Sequence, residues 1–257
     1  MGLPEGAGVV QLDRLSAVGH SGPMHTRRIG DLDVFPIGMG CMQLSGRRML
    51  DHRDRAIATI FRHGNDKIFP LFLKTAGEIC EGEVREISEK KNINMTEEAH
   101  LEIVRKKTAS FLACALQTGA LIWGIEPGKA EALGRFGTFF GMAFQLIDDC
   151  LDFTGEEREF GKTLGSDLEE GVYTLPVIHC LASGERDKVV RILYSRSHNR
   201  RFSMLREALE KSGALDYAME KAREFIAMAK RELEVFPPSE FRASLDQLAG
   251  YVLERKK

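Results

Sequence analysis

Asp148, Asp149 and Asp152 lie within the stretch GMAFQLIDDCLDF, and three carboxylates in so apolar a segment limit how it can fold more than any other feature of the chain. A buried charge left unpaired is strongly unfavourable. At about 100° per residue, Asp148 and Asp149 flank Asp152, with Gln145, Gly141 and Gly137 falling one, two and three turns upstream on roughly the same face. The segment therefore reads as a helix with one polar face turned toward something cationic. Adjacent carboxylates also raise one another's pKa values, and a divalent cation relieves both penalties. Mg²⁺ suits this site, because it takes hard oxygen ligands, keeps several waters and is commonly shared between one or two carboxylates and a substrate's phosphates. Diphosphate chemistry is the expectation. A lone DDxxD fits a solvated helix end equally well, so the surrounding residues must decide.

Composition narrows the class of protein. The 257 residues suffice for one large or two small domains, and 43% hydrophobic residues, 29% charged residues and a net charge of −2 describe an ordinary globular chain. With no basic excess, nucleic acid is not an expected partner. Cys41, Cys80, Cys114, Cys150 and Cys180 have neither CxxC nor Cys/His metal spacing, so they are expected to be reduced and mostly buried, in a cytoplasmic protein. The apolar runs 111–115 and 119–125 fall short of the ~20 residues a membrane span needs. No signal peptide is expected from the Gly-rich first residues.

The chain changes character near residue 66. Residues 1–26 carry Gly, Pro, Ser and His without periodicity and are expected to be disordered or loosely attached. A short polar segment, 27–33, leads into VFPIGMGCMQL, whose Gly38 and Gly40 suggest a strand with a tight turn. A short helix is expected over 51–63. From residue 68 onward helical periodicity dominates, with helices predicted at 68–91, 96–124, 128–153, 171–183, 186–194, 200–211, 213–233 and 238–254. The fold class expected for 67–257 is all-α, a helical bundle whose functional side chains project inward.

Two further constellations carry chemistry. Lys106, Lys107 and Thr108 open an apolar run and could offer an ammonium and a hydroxyl to a phosphate, although a lysine pair on a solvated face explains them too. After the aspartates comes FTGEEREFGKTLGSDLEEGVYTLP, a polar, Gly-punctuated segment with Lys162, Asp167, Glu169 and Glu170, placed where a diphosphate lid would be expected. His100 and His179 have no partner at ligand spacing and read as surface or satisfied core residues. Trp123, Phe136, Phe139 and Phe140 sit at core-like spacing.

Lys-Thr on one helix, FQxxDDxxD on the next and GKxxGSDxxxGxxTLP after it together resemble the carboxy-terminal part of the trans-isoprenyl diphosphate synthases, the polyprenyl synthetase family. The resemblance runs from about Phe69 to Lys257 and includes ICEGE at 79–83; it is nearest to bacterial synthases making octaprenyl-like or heptaprenyl-like products. It implies an incomplete isoprenoid-synthase-like bundle, and a prenyltransferase that condenses an allylic diphosphate with isopentenyl diphosphate. In that reading Asp148, Asp149 and Asp152 hold Mg²⁺ against the allylic diphosphate. Lys107, Lys162 and Arg255 meet diphosphate oxygens, and Thr108 and Gln145 line the reacting centre, with Phe144 beside them. A homodimer, or association with a complete synthase, is implied as well.

The family's first aspartate-rich motif, its following arginine pair and its upstream Gly-Lys-Arg segment have no counterpart here. DHRDR, with Asp51 and Asp54, lacks the doubled aspartate. The resemblance therefore implies one side of a metal clamp and an impaired catalyst, with a non-catalytic helical subunit as the rival reading. Residues 27–66 instead resemble the opening of an aldo-keto reductase, as a remnant that stops before that family's catalytic positions.

Overall fold

The computed structural model describes residues 27–29, 32–34, 67–155, 164–195 and 198–254. The chain divides into two units, 1–36 and 37–257. In the first, β1 (Arg27–Ile29) and β2 (Leu32–Val34) pair antiparallel, with Arg27 opposite Val34 and Ile29 opposite Leu32. Strand structure thus lies in the short amino-terminal extension, for which the sequence allows an irregular or a β-containing segment. The strand and turn expected at 34–44 beyond Val34, and the helix at 51–63, lie outside the described residues.

Every regular element described in the second unit is helical. In order these are α1 (Ile68–Ser88), α2 (Glu97–Val104), a π-helical turn (Arg105–Ala109), α3 (Ser110–Ile122) and α4 (Pro127–Thr154). Next come α5 (Ser166–Glu170), α6 (Leu175–Ala182), α7 (Arg186–Leu193) and α8 (His198–Ser212). The unit closes with α9 (Ala214–Glu232), a 3₁₀ turn (Leu233–Val235) and α10 (Glu240–Glu254).

The boundaries follow from local chemistry. Thr96 caps α2, its hydroxyl accepting from the Ala99 N–H at 3.2 Å, and Glu97 and Glu98 place negative charge on the first turn. The Glu126 carboxylate accepts from the Gly128 N–H at 3.1 Å, and Pro127 occupies the first turn of α4, where its missing N–H is no loss. The helix expected over 171–183 begins only at Leu175. Gly171 takes φ 79°, which ends α5, and Thr174 is extended before Pro176 enters the first turn of α6.

The centre of the unit is α4, with α3 against one side and α9 against another. Contact with α3 and the π turn before it depends on absent side chains: a Cβ on Gly137 would sit 2.7 Å from the Ala113 Cα of α3, and one on Gly141 2.6 Å from the Ala109 Cα of the π turn. Toward α4, α9 turns Ala218, Ala222 and Ala229, all fully buried, with Ile226 among them. Small residues on both faces bring the backbones close and lock rotation and register. A second core, of Phe153, Leu168, Val177, Leu181, Leu205 and Leu209, joins the end of α4 to α5, α6 and α8.

The aromatics divide between core and surface. Phe136 stacks on Phe140 with centroids 5.9 Å apart, and Phe139 on Phe225 at 6.4 Å. Trp123, expected in the core, is 67% exposed, because α3 ends at Ile122 and the chain turns away through Gly124.

Close approach predicts opposite outcomes for one substitution at two glycines. Gly141→Ala should cost about 1–3 kcal/mol by pushing the π turn and the start of α3 off α4. Gly77→Ala, on an exposed part of α1 with nothing within 4 Å of its Cβ, should stabilise by about 0.4–1 kcal/mol. Urea unfolding of both variants reads the difference.

Candidate functional site

The inward face of α4 meets the π-helical turn through side chains. An α-helix that widens to a π turn pushes out one residue, a distortion common at functional sites. Here it carries Lys107 and Thr108. The Thr108 hydroxyl donates to Gln145 Oε1 at 2.9 Å, and Gln145 Nε2 donates to Asp149 Oδ1 at 2.9 Å. Asp149 is 2% exposed, and its other oxygen lies 3.3 Å from His100 Nε2 on α2. His100 is itself only 4% exposed. These two atoms are out of line for a regular hydrogen bond, yet neither has another partner. A buried polar atom left unsatisfied costs about 1–3 kcal/mol, so the two orphaned atoms facing each other at 3.3 Å mark a strained spot in the core. The result is a polar chain, Thr108–Gln145–Asp149–His100, crossing from the π turn to α2. Sequence reasoning passed over His100 because its partner lies 49 positions away on another helix; a histidine on the buried face of α2 was the only signal.

The other two aspartates behave differently. Asp148 is exposed. Asp152 caps α5: its Oδ1 accepts from the Gly165 N–H at 3.1 Å, the Ser166 N–H at 3.3 Å and the Ser166 hydroxyl at 3.3 Å, and its Oδ2 from the Asp167 N–H at 3.4 Å. Burial pushes the Asp152 carboxyl above its ordinary value, while these backbone donors pull it back. Asp167 is pushed up to about 7, first by burial, then by the nearby Asp149, Asp152, Glu86 and Asp148 carboxylates. Carboxylates from α1, α4 and α5 thus crowd one region. Among the described residues no three of them converge on a single point as a preformed metal cage.

Lys107 supplies the positive charge in the described part of this region. Its ammonium meets Glu86 Oε1 at 2.6 Å and Glu83 Oε2 at 2.9 Å, both on α1. Burial lowers its pKa, but the two carboxylates outweigh this and leave it raised. Close packing permits the pairing, since a Cβ on Gly82 would lie 2.8 Å from the Lys107 backbone nitrogen. Lys106 turns instead to Glu81 at 2.8 Å. Lys162 and Arg255 lie outside the described residues. Cys150, beside Asp149, has its thiol pushed up to about 12 by burial and by that carboxylate, so it is no nucleophile at neutral pH. Phe144 is partly buried against the core shared by α4 and α9. His179 stacks on Tyr217 at 4.0 Å, as a satisfied packing residue does.

A cavity of about 290 Å³ lies between α1, α3 and α4. It is lined by Thr75, Glu78, Arg105, Gln117 and Thr138 among others, and shares no residue with the Thr108–His100 chain.

Residues 52–211 match the sequence profile of the polyprenyl synthetases. The chain belongs to that family. It is 33% identical over 209 residues to the short chain isoprenyl diphosphate synthase of Methanothermobacter thermautotrophicus, an alignment covering 79% of this chain and 64% of that one. Against heptaprenyl diphosphate synthase component 2 of Bacillus subtilis the identity is 31%, over 76% of this chain and 56% of the relative. The crystal structure of a polyprenyl synthase from Caulobacter crescentus CB15, complexed with calcium and isoprenyl diphosphate, superposes with a TM-score of 0.74 at 32% identity, covering 79% of this chain and 63% of that one. The chain therefore spans about 56 to 64% of the length of these relatives. The all-α isoprenoid-synthase fold read from the sequence is the fold observed.

The family match also corrects the amino-terminal reading. It starts at residue 52, so 52–66 align with a polyprenyl synthetase and not with the aldo-keto reductase they were compared with. The synthetase part begins earlier than the change of composition near residue 66.

Asp167 gives a pH signature. Its folded-state pKa lies above its ordinary 3.8, so its contribution to stability is full below about pH 4, declines as pH rises through about 7 and is lost above it. Unfolding measured from pH 4 to 9 should show wild-type stability falling across that window. Asp167→Asn should flatten the slope and unfold later than wild type at pH 8.

Proposed function

We propose that this chain is a prenyltransferase of isoprenoid biosynthesis, binding an allylic diphosphate through Mg²⁺ beside Asp148, Asp149 and Asp152 for condensation with isopentenyl diphosphate. The observation carrying this reading is the Thr108–Gln145–Asp149 chain, which joins the Lys-Thr and FQxxDDxxD motifs next to a cluster of crowded carboxylates. The donor set fits the ion: all the candidates are hard oxygens, and their mutual repulsion, which adds to burial in raising Asp167, is what a divalent cation would relieve. Mg²⁺ keeps waters and uses only one or two carboxylates, so a closed cage of three is not required. Asp148 and Asp152 are the more accessible ligands, with Asp149 anchored behind them.

The chain's own residues would divide the work as follows. Asp148 and Asp152 hold the ion, which when bound neutralises charge on the departing diphosphate. Lys107, held over the region by Glu83 and Glu86, exchanges a carboxylate for a phosphate oxygen, and Lys162 and Arg255 add positive charge to the two diphosphates. The Gln145 amide and the Thr108 hydroxyl, oriented by Asp149, place their oxygens toward the carbon that becomes electron-poor. In the same reading 67–257, with 52–66 joined to them, form the working domain in a cytoplasmic protein.

The chain alone lacks a first aspartate-rich motif, so slow turnover is part of the proposal, and a second reading, a non-catalytic subunit, has an observation of its own. Leu73, Val84 and Ile87 of α1 are 58%, 66% and 55% exposed. With Phe69 and Cys80 they fall within an arc of roughly 60°, opposite the buried Ile68, Thr75 and Gly82. Such a stripe supports the reading of an association surface, either for a second copy of this chain or for a complete synthase.

Two measurements test these readings. With an allylic diphosphate and isopentenyl diphosphate, the chain should release pyrophosphate only when Mg²⁺ is present, and Asp148→Ala should lower that rate by about 100-fold or more. Mg²⁺-dependent ligand binding without turnover would instead favour the subunit. In sedimentation velocity the wild type should self-associate, and Leu73→Glu with Val84→Lys should return it to a monomer.

A further inference from the structure

We infer that His100 is a positioning residue: through Asp149 it dictates which end of the Gln145 amide faces Thr108. The proposal rests on the prenyltransferase reading for its catalytic meaning and on the buried geometry for its substance.

An ionised aspartate only accepts hydrogen bonds. Asp149 Oδ1 accepts from Gln145 Nε2 at 2.9 Å, so the Gln145 carbonyl must point the other way, where it accepts from the Thr108 hydroxyl at 2.9 Å. Reversing the amide would set its carbonyl against the carboxylate. The sense of the whole chain therefore depends on Asp149 holding its orientation in a buried site. His100 Nε2 is the group described on the far side of that carboxylate, 3.3 Å from Oδ2, and neither atom has another partner. The two atoms are out of line as they stand, but a small turn of the ring lets an Nε2–H, neutral or cationic, give Oδ2 the donor it lacks and keep Asp149 from rotating away from Gln145. His100 cannot swing aside easily. Its ring lines a crevice of only about 10 Å³ with Glu86, Met95, Ile103 and Tyr173. In the family frame, a residue outside the Lys-Thr and DDxxD motifs thus sets the direction of the two oxygens next to the reacting carbon.

Nuclear magnetic resonance on the full chain tests the idea without substrate or metal. His100 should carry its proton on Nε2, with the resonance moving in Asp149→Asn. The Gln145 side-chain amide protons should exchange slowly in the wild type, roughly tenfold faster in His100→Ala, and slowly again in His100→Gln, whose amide nitrogen can replace Nε2–H. A bare Nε2, unchanged Gln145 exchange in a folded His100→Ala, or no recovery in a folded His100→Gln would each overturn the proposal. Turnover forms a separate arm, in which His100→Ala should lower kcat by roughly 10–100-fold with KM little changed and His100→Gln should recover most of it. If the wild type does not turn over, the prenyltransferase reading fails, and the resonance arm still decides what His100 does.

Discussion

Close approach between α3 and α4 is the constraint on which the rest of the molecule depends. With no side chain at Gly137 or Gly141, α4 meets α3 and the π turn that leads into it at distances a single Cβ would forbid. That contact fixes where the π turn sits along α4, and so places Thr108 one hydrogen bond from Gln145. Had alanine stood at Gly141, the helices would separate by a few tenths of an ångström or slide, and a 2.9 Å hydrogen bond tolerates little of either. The alanine face of α9 holds α4 from the other side, so the polar chain crosses a bundle with little freedom to adjust.

Much of the fold could be read in advance because its helices carry their own boundaries. Thr96, Pro127 and Gly213 mark starts or stops by local chemistry, and the apolar spacing between them is long and regular. Two features escaped for a physical reason. A π turn adds one residue without altering the surrounding pattern, so 96–124 looked like one uninterrupted helix. The start of α6 was placed early because the positive φ at Gly171 depends on its neighbours and leaves no mark in periodicity.

The site was legible in its ligands and opaque in their division of labour. Aspartates four residues apart on an apolar helix announce a polar face, but their separate environments come from tertiary contacts. Asp149 turns inward to His100, Asp152 serves the backbone of the following turn, and Asp148 faces outward. Lys107 was found from its Thr neighbour, whereas Glu83 and Glu86, which hold it, lie more than twenty positions earlier on α1. His100 shows the same limit, since a single histidine on a buried helix face carries no hint of the carboxylate it meets.

Asp152 has a consequence for how the region responds to ligands. Its two oxygens already accept from three successive backbone N–H groups at the start of α5. Anything that draws this carboxylate toward itself must share it with that turn or release it. Occupancy at the aspartates and order in residues 165–167 are therefore linked equilibria: a ligand that loosens the turn is weakened by whatever holds the turn closed, and by the same factor.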